Sequence, residues 1–159
     1  MRKMLFTRLR HDRRGMGFIE MALATPLLAL LFLGMVDLSK IVAANIDLEQ
    51  AAQRTTDYAL ARRPASASTT YLETEAANAS GQSSSNIRVE LFLECDGTKQ
   101  TSFTGSCASG STTHRFVSVE IDRQVDTGFN WRGMAAIFAG GNGSYRPVTV
   151  TGDSVVRIQ

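Results

Sequence analysis

Hydrophobic and polar positions divide the chain into stretches with three different periods. From Phe18 to Val36 the residues are apolar in every direction, with one charge, Glu20, in 19 residues. As a helix rising ~1.5 Å per residue this stretch is roughly 28 Å long, close to the ~30 Å hydrocarbon thickness of a bilayer. From Asp37 to Ala61 no Pro or Gly occurs, and Leu38, Ile41, Val42, Leu48, Ala52, Thr55 and Ala59 recur at steps of three and four. That period predicts that the helix continues with one buried face. Phe18 to Ala61 then forms a single helix of roughly 66 Å; a break at Gly34 to Ser39 is the alternative. Arg62-Arg63-Pro64 closes it, with cations at the negative end of the helix dipole and a proline as the stop. Thr70 to Ala79 reads as a short helix headed by Thr69 or Thr70, with Glu73 in its first turn.

The period then changes to two. Ile87, Val89, Leu91 and Leu93 alternate with Arg88, Glu90 and Glu94, which predicts a half-buried strand, and Val117, Val119, Ile121 and Val125 repeat the pattern. Val148, Val150, Val156 and Ile158 supply one or two last strands, with Gly152-Asp153 as the candidate divide and Asn142-Gly143 as a turn before them. Between these, Trp131, Met134 and Phe138 fall at helical steps, a spacing read first as core packing and second as an exposed contact with another subunit. The fold expected is α+β: a long N-terminal helix packed on three or four antiparallel strands.

Charge adds a direction. Arg2, Lys3, Arg8, Arg10, Arg13 and Arg14 precede the apolar run, against Asp12 alone. Ten strongly apolar residues at about −0.5 kcal/mol each outweigh an acid costing ~3 kcal/mol at mid-membrane and less near an end. Insertion wins, and the basic flank keeps the N-terminus cytoplasmic while Asp37 onward crosses. Seventeen basic and 15 acidic side chains fall to 11 and 14 without residues 1–15, turning +2 into −3. A basic excess confined to a terminal segment disfavours a nucleic-acid partner. Two cysteines exclude a disulfide-dense mini-protein and a zinc ribbon. In an oxidising periplasm Cys95 and Cys107, twelve residues apart, are expected to bond to each other; a redox role would call for a C-x-x-C spacing. His114 has no second histidine beside it, no Asp-x-Asp loop is present and the serines lack a G-x-S-x-G elbow. No catalytic site, metal or cofactor is therefore expected.

Three readings of the N-terminus compete: an uncleaved signal anchor, a signal peptide cut after Val42-Ala43-Ala44, and a third suggested by Gly15 ending the basic leader with Glu20 the fifth residue after it. Arg13-Arg14-Gly15-Met16-Gly17-Phe18-Ile19-Glu20 resembles the class III signal of type IV pilin-like proteins, cut by prepilin peptidase between the positions of Gly15 and Met16. The continuation through Glu20, Ala22, Pro26, Gly34 and Asp37 resembles the TadE family of pseudopilins from the bacterial tight-adherence (Tad/Flp) pilus. The resemblance is strongest over residues 13–63.

It implies a leader at 1–15, a helix at 16–63 whose span covers about 18–36, and a periplasmic α+β head at 64–159. Glu20, Ala22 and Pro26 would serve subunit assembly. The implied partners are a major Flp-type pilin, TadF- and TadG-like minor pilins, prepilin peptidase, an inner-membrane assembly platform and membrane lipid. The implied place is the inner membrane before assembly and the pilus or cell surface after it. A signal-anchored periplasmic binding domain that never polymerises and a type II secretion pseudopilin are the alternatives. The mature N-terminus separates the three readings: mass spectrometry of protein from its native host is expected to find Met16, whereas Met1 points to the signal anchor and Asn45 to the signal peptide.

Overall fold

Helix α1 spans Met16–Ala61 without interruption in the computed structural model, which describes residues 16–159. Residues 1–15, which hold the expected leader and the expected cleavage position at Gly15, lie outside the described residues. After α1 come α2 (Thr70–Ser80), a 3-10 turn (Ser84–Asn86), β1 (Ile87–Cys95), β2 (Thr98–Gln100), β3 (Thr113–Val125), α3 (Trp131–Ala139) and β4 (Val148–Arg157). The chain divides into two compact units at Leu38/Ser39. In the first, the apolar side chains of α1 stand exposed; in the second, four strands in the order β2-β1-β3-β4, all antiparallel, form one sheet. The fold is α+β, as the periods predict.

Alternation sorts the sheet into two faces. Ile87, Val89, Leu91 and Leu93 pair with Ile121, Val119, Val117 and Arg115, and Val117, Val119 and Ile121 pair onward with Val156, Ser154 and Gly152. This face joins Leu48, Ala51, Ala52 and Ala59 of α1 and Leu72 and Ala76 of α2 in one core. The contribution of α1 is a stripe of small side chains, Ala44, Ala51, Ala52, Thr55, Thr56 and Ala59, around the single large buried residue Leu48. At 100° per residue these positions cover an arc of about 140°. Their polar atoms are satisfied locally: Thr55 Oγ1 donates to Ala51 O (2.8 Å), and Thr56 Oγ1 shares a hydrogen bond with Ser154 Oγ (3.0 Å).

Small residues on the helix have a counterpart on the strand. A Cβ on Gly152 would lie 2.4 Å from the Leu48 carbonyl carbon and 2.6 Å from the Glu49 nitrogen. Only a residue without a side chain lets the two backbones meet there. Gly152 therefore does not divide two strands, as the sequence suggests it could; β4 runs through it, and the glycine is the seat of α1. Asn45 Nδ2, donating to Thr151 O at 3.1 Å, anchors the same contact.

Three further expectations change. Leu38 and Val42 are 61% and 48% exposed: the neighbouring Ile41 packs partly buried against the core, and full burial of apolar side chains on α1 begins at Ala44. The short strand β2 follows an Asp96-Gly97 turn in which both residues have positive φ (50° and 79°), the geometry that suits the right-handed twist of a two-residue hairpin. The Trp131–Phe138 cluster is helical as expected but is not core, since no residue of α3 is buried. At the start of α2, Thr69 is the N-cap, and its hydroxyl donates to Glu73 Oε1 (2.6 Å) rather than accepting from the backbone.

Gly152→Ala is expected to lower the stability of the head by about 1–3 kcal/mol, the usual cost of overpacking a tight contact. Urea unfolding of the full chain in detergent reads this out; an unchanged midpoint contradicts the role given to Gly152.

Candidate functional site

Glu20, Ala22 and Pro26 lie on the first turns of α1, with Glu20 and Pro26 about 9 Å apart along the axis. Around them Phe18, Met21 and Leu23 are 81%, 71% and 75% exposed, and Leu27, Leu28, Leu31 and Phe32 are exposed as well. An 18-residue window of this helix has a mean hydropathy of 2.1, and none of it is buried. Side chains this apolar on every side of a helix require a non-aqueous surrounding, either lipid or other apolar helices. Pro26 sits inside the helix and has no N–H for the carbonyl of Ala22. One residue earlier, Thr25 Oγ1 donates to Met21 O at 2.6 Å, which keeps that hydroxyl satisfied within the helix. At the other end of the stretch Asp37 is buried (4% exposed).

The head holds the remaining predicted pair. Cys95 and Cys107 are bonded, with their Cα atoms 5.6 Å apart. The bond closes the 96–106 loop against the end of β1, and a loop of that size contributes about 3 kcal/mol in the chain-entropy account. Asp96 braces the same loop: its Oδ1 accepts from Thr112 N and Thr112 Oγ1, both at 2.9 Å. These hydrogen bonds, the backbone one first, hold its carboxyl below the usual carboxylate range, and the charge of His114 adds to the effect.

On the outer face of the sheet Arg88 Nη2 bridges Glu120 (2.6 Å) and Asp122 (3.0 Å), and Lys99 pairs with Glu90 (2.5 Å) while lying 4.5 Å from the centre of the Phe92 ring. Phe92 stacks on Phe116 at 5.2 Å. Pairing with Glu120 raises the pKa of the Arg88 guanidinium further. At the far end of α1 a cavity of about 300 Å³ is lined by Arg63, Phe103, Arg115 and Ile158. Arg115 spends its donors on Phe103 O (3.1 Å), Gly105 O (3.0 Å) and the Gln159 side chain, so it ties the loop to the C-terminal strand rather than presenting a vacant cation. Among the described residues no three His, Cys, Asp or Glu side chains cluster as a metal site would require.

A helix long and apolar enough to cross a bilayer, continuous with one that packs on a four-stranded sheet, defines an α+β protein with an N-terminal helix of membrane-spanning length and composition. More particularly, residues 15–57 match the family model of TadE-like proteins, the resemblance read from Gly15, Glu20, Ala22, Pro26, Gly34 and Asp37. The match covers the apolar stretch and most of the half of α1 that enters the head, and leaves the sheet outside it. Neither the curated proteins nor the solved structures contain a match to the chain.

A carboxyl with a lowered pKa stabilises the folded loop above its ordinary value of 3.8, and that contribution disappears as pH falls through the lower folded value. Hydrogen exchange at the Thr112 amide is therefore expected to show a protection step below pH 3.8 that Asp96→Asn, which keeps an acceptor but does not titrate, removes. A step retained in Asp96→Asn contradicts the assignment.

Proposed function

We propose that this chain is a minor pilin or pseudopilin of a Tad/Flp pilus, cut by prepilin peptidase after Gly15, held in the inner membrane by α1, and assembled with like subunits in the initiation or tip complex of a fibre that supports adhesion. It works as an assembly component and not as an enzyme. The observation that carries this reading is the TadE-like match at 15–57 lying on a helix whose apolar side chains stand largely exposed. The same side chains that suit lipid before assembly suit neighbouring helices after it, so extraction into a filament exchanges one apolar surrounding for another.

Two steps follow from the chemistry of the leader. With its six basic side chains attached, the helix cannot leave the cytoplasmic face, because each costs ~3 kcal/mol at the bilayer centre. Cleavage removes that hold and leaves an α-amino group on Met16, with a pKa near 8 and charged at neutral pH. A neighbouring subunit's amine then meets the Glu20 carboxylate in the apolar filament interior, where a subunit out of register would bury its carboxylate unpaired. The pairing therefore sets axial register as well as neutralising charge. Major Flp-type pilin and TadF- or TadG-like subunits are the neighbours in this reading, with the assembly platform below them.

Photo-cross-linkers at Leu23 or Leu31 are expected to capture other pilus subunits in cells that make the pilus. Glu20→Gln is expected to reduce that capture at least several-fold while leaving the chain in the membrane. Capture of lipid alone from both positions favours a tethered domain that never polymerises, and unreduced capture in Glu20→Gln removes the pairing role.

A further inference from the structure

Charge in the head is compensated unevenly. Arg88 and Lys99 pair with acids on the outer face of the sheet, and Arg54 lies 3.7 Å from Glu75 of α2. At the C-terminal end of α1 the arrangement differs: Arg62, Arg63 and Arg115 make no ion pair among the described residues. Arg62 donates to the Tyr58 hydroxyl (3.5 Å) and lies over the Tyr71 ring at 5.3 Å. Arg115 gives three of its five N–H groups to Phe103 O, Gly105 O and Gln159 Oε1, all of them neutral acceptors. Bonds of this kind fix the guanidinium without cancelling its charge. Arg63 is exposed, and its guanidinium has no hydrogen bond among the described residues.

Two cavities flank Arg63. One, of about 300 Å³, is lined by Arg63, Thr104 and Arg115 and has the buried side chains of Phe103 and Ile158 in its wall. The other, of about 230 Å³, lies on the side of Ser66, Ser68 and Tyr71. Arg63, Pro64 and Ala65 line both, and among the described residues no acid lines either. The walls of the larger cavity are built before any ligand arrives. The Cys95–Cys107 bond closes the loop that carries Phe103, and Arg115 ties that loop to Gln159 just beyond β4. Pro64 narrows the backbone angles open to Arg63, which limits where its side chain starts. An apolar wall, a fixed positive charge beside it and a guanidinium left without an acceptor together call for an anion carried on a short apolar stem.

We propose that the larger cavity is a carboxylate-binding site that takes a glutamate or aspartate side chain from an exposed acidic segment of a partner protein. Arg63 pairs with the carboxylate through the two parallel hydrogen bonds that a planar guanidinium allows, and Arg115 adds charge from the wall. Phe103 and Ile158 favour a methylene stem over a phosphate group, whose oxygens would lie against them without partners. The site is wholly within the head and does not depend on whether the chain polymerises.

Glutarate, a dicarboxylate with an apolar stem, and inorganic phosphate are titrated separately into the isotope-labelled full chain in non-ionic detergent at constant ionic strength, and backbone amides are followed by nuclear magnetic resonance. Glutarate is expected to shift the amides of Ala65, Thr104 and Gly105 saturably and to bind at least several-fold more tightly than phosphate. Arg63→Gln is expected to weaken glutarate binding at least several-fold with an unchanged thermal midpoint, and Arg63→Lys, which keeps the charge without the fork, to fall between. A pentaglutamate peptide with blocked ends is expected to displace glutarate, and pentaglutamine is not. Phosphate that binds as tightly as glutarate assigns the site to phosphate-bearing ligands and overturns the proposal. Shifts that never saturate, an Arg63→Gln chain that binds glutarate as the parent does, or a pentaglutamate that fails to compete overturn it as well.

Discussion

One helix has to satisfy two solvents, and the rest of the structure depends on how it does so. Over Phe18 to Val36 helix α1 is apolar on every side and exposed, so nothing in its own fold can cover it. Over Ala44 to Ala59 only a stripe is buried, and that stripe is made of small residues around Leu48. The first pattern suits a surrounding that is uniform about the axis. The second suits a flat sheet that comes close from one side. Small side chains make the approach close, and Gly152 makes it closer still by bringing strand backbone against helix backbone. Such contacts add dispersion energy in proportion to their density, while a methyl group at the seam has nowhere to go.

The head follows from that seat. With one face of the sheet given to α1 and α2, the outer face holds its strands together by cross-strand charge pairs and the Phe92–Phe116 stack. Its β1–β3 connection is long and polar, and it is held by three devices: the Cys95–Cys107 bond, the Asp96 acceptor and the fan of donors from Arg115. The β3–β4 connection carries no disulfide and is braced instead through Asn130, Tyr145 and the Gly133–Gly143 approach. Order in this second connection therefore leaves an apolar surface facing outward, where the first leaves none.

Much of this was legible in the residues because period is a direct imprint of burial. The helix from Phe18 to Ala61, α2 and the alternation in β1 and β3 could be read that way. What escaped was set by single residues or by the neighbourhood of an element. Gly152 within a valine-rich strand reads equally as an interruption or as a close approach, and only the position of Leu48 decides between them. The Asp96-Gly97 pair is a hairpin signal for β2, but the three residues of that strand are too few to show a period. Leu38, Val42 and α3 failed for the opposite reason. Their spacing is that of a buried face, but periodicity records that a side chain is apolar and not what covers it. The match to the TadE-like model is confined to the apolar stretch of α1 and the part of it that meets the sheet, so the likeness is legible where the helix is constrained twice and not in the strands that only need to alternate.

Hydrogen exchange on the full chain in lipid vesicles across a urea series tests the division of α1 most directly. Amides of residues 44–59 should lose protection together with β1, β3 and β4 as the head unfolds, while those of residues 22–36 stay protected by the bilayer. A single transition that releases both halves, or free exchange at 22–36 in the folded protein, would contradict a helix that serves two solvents.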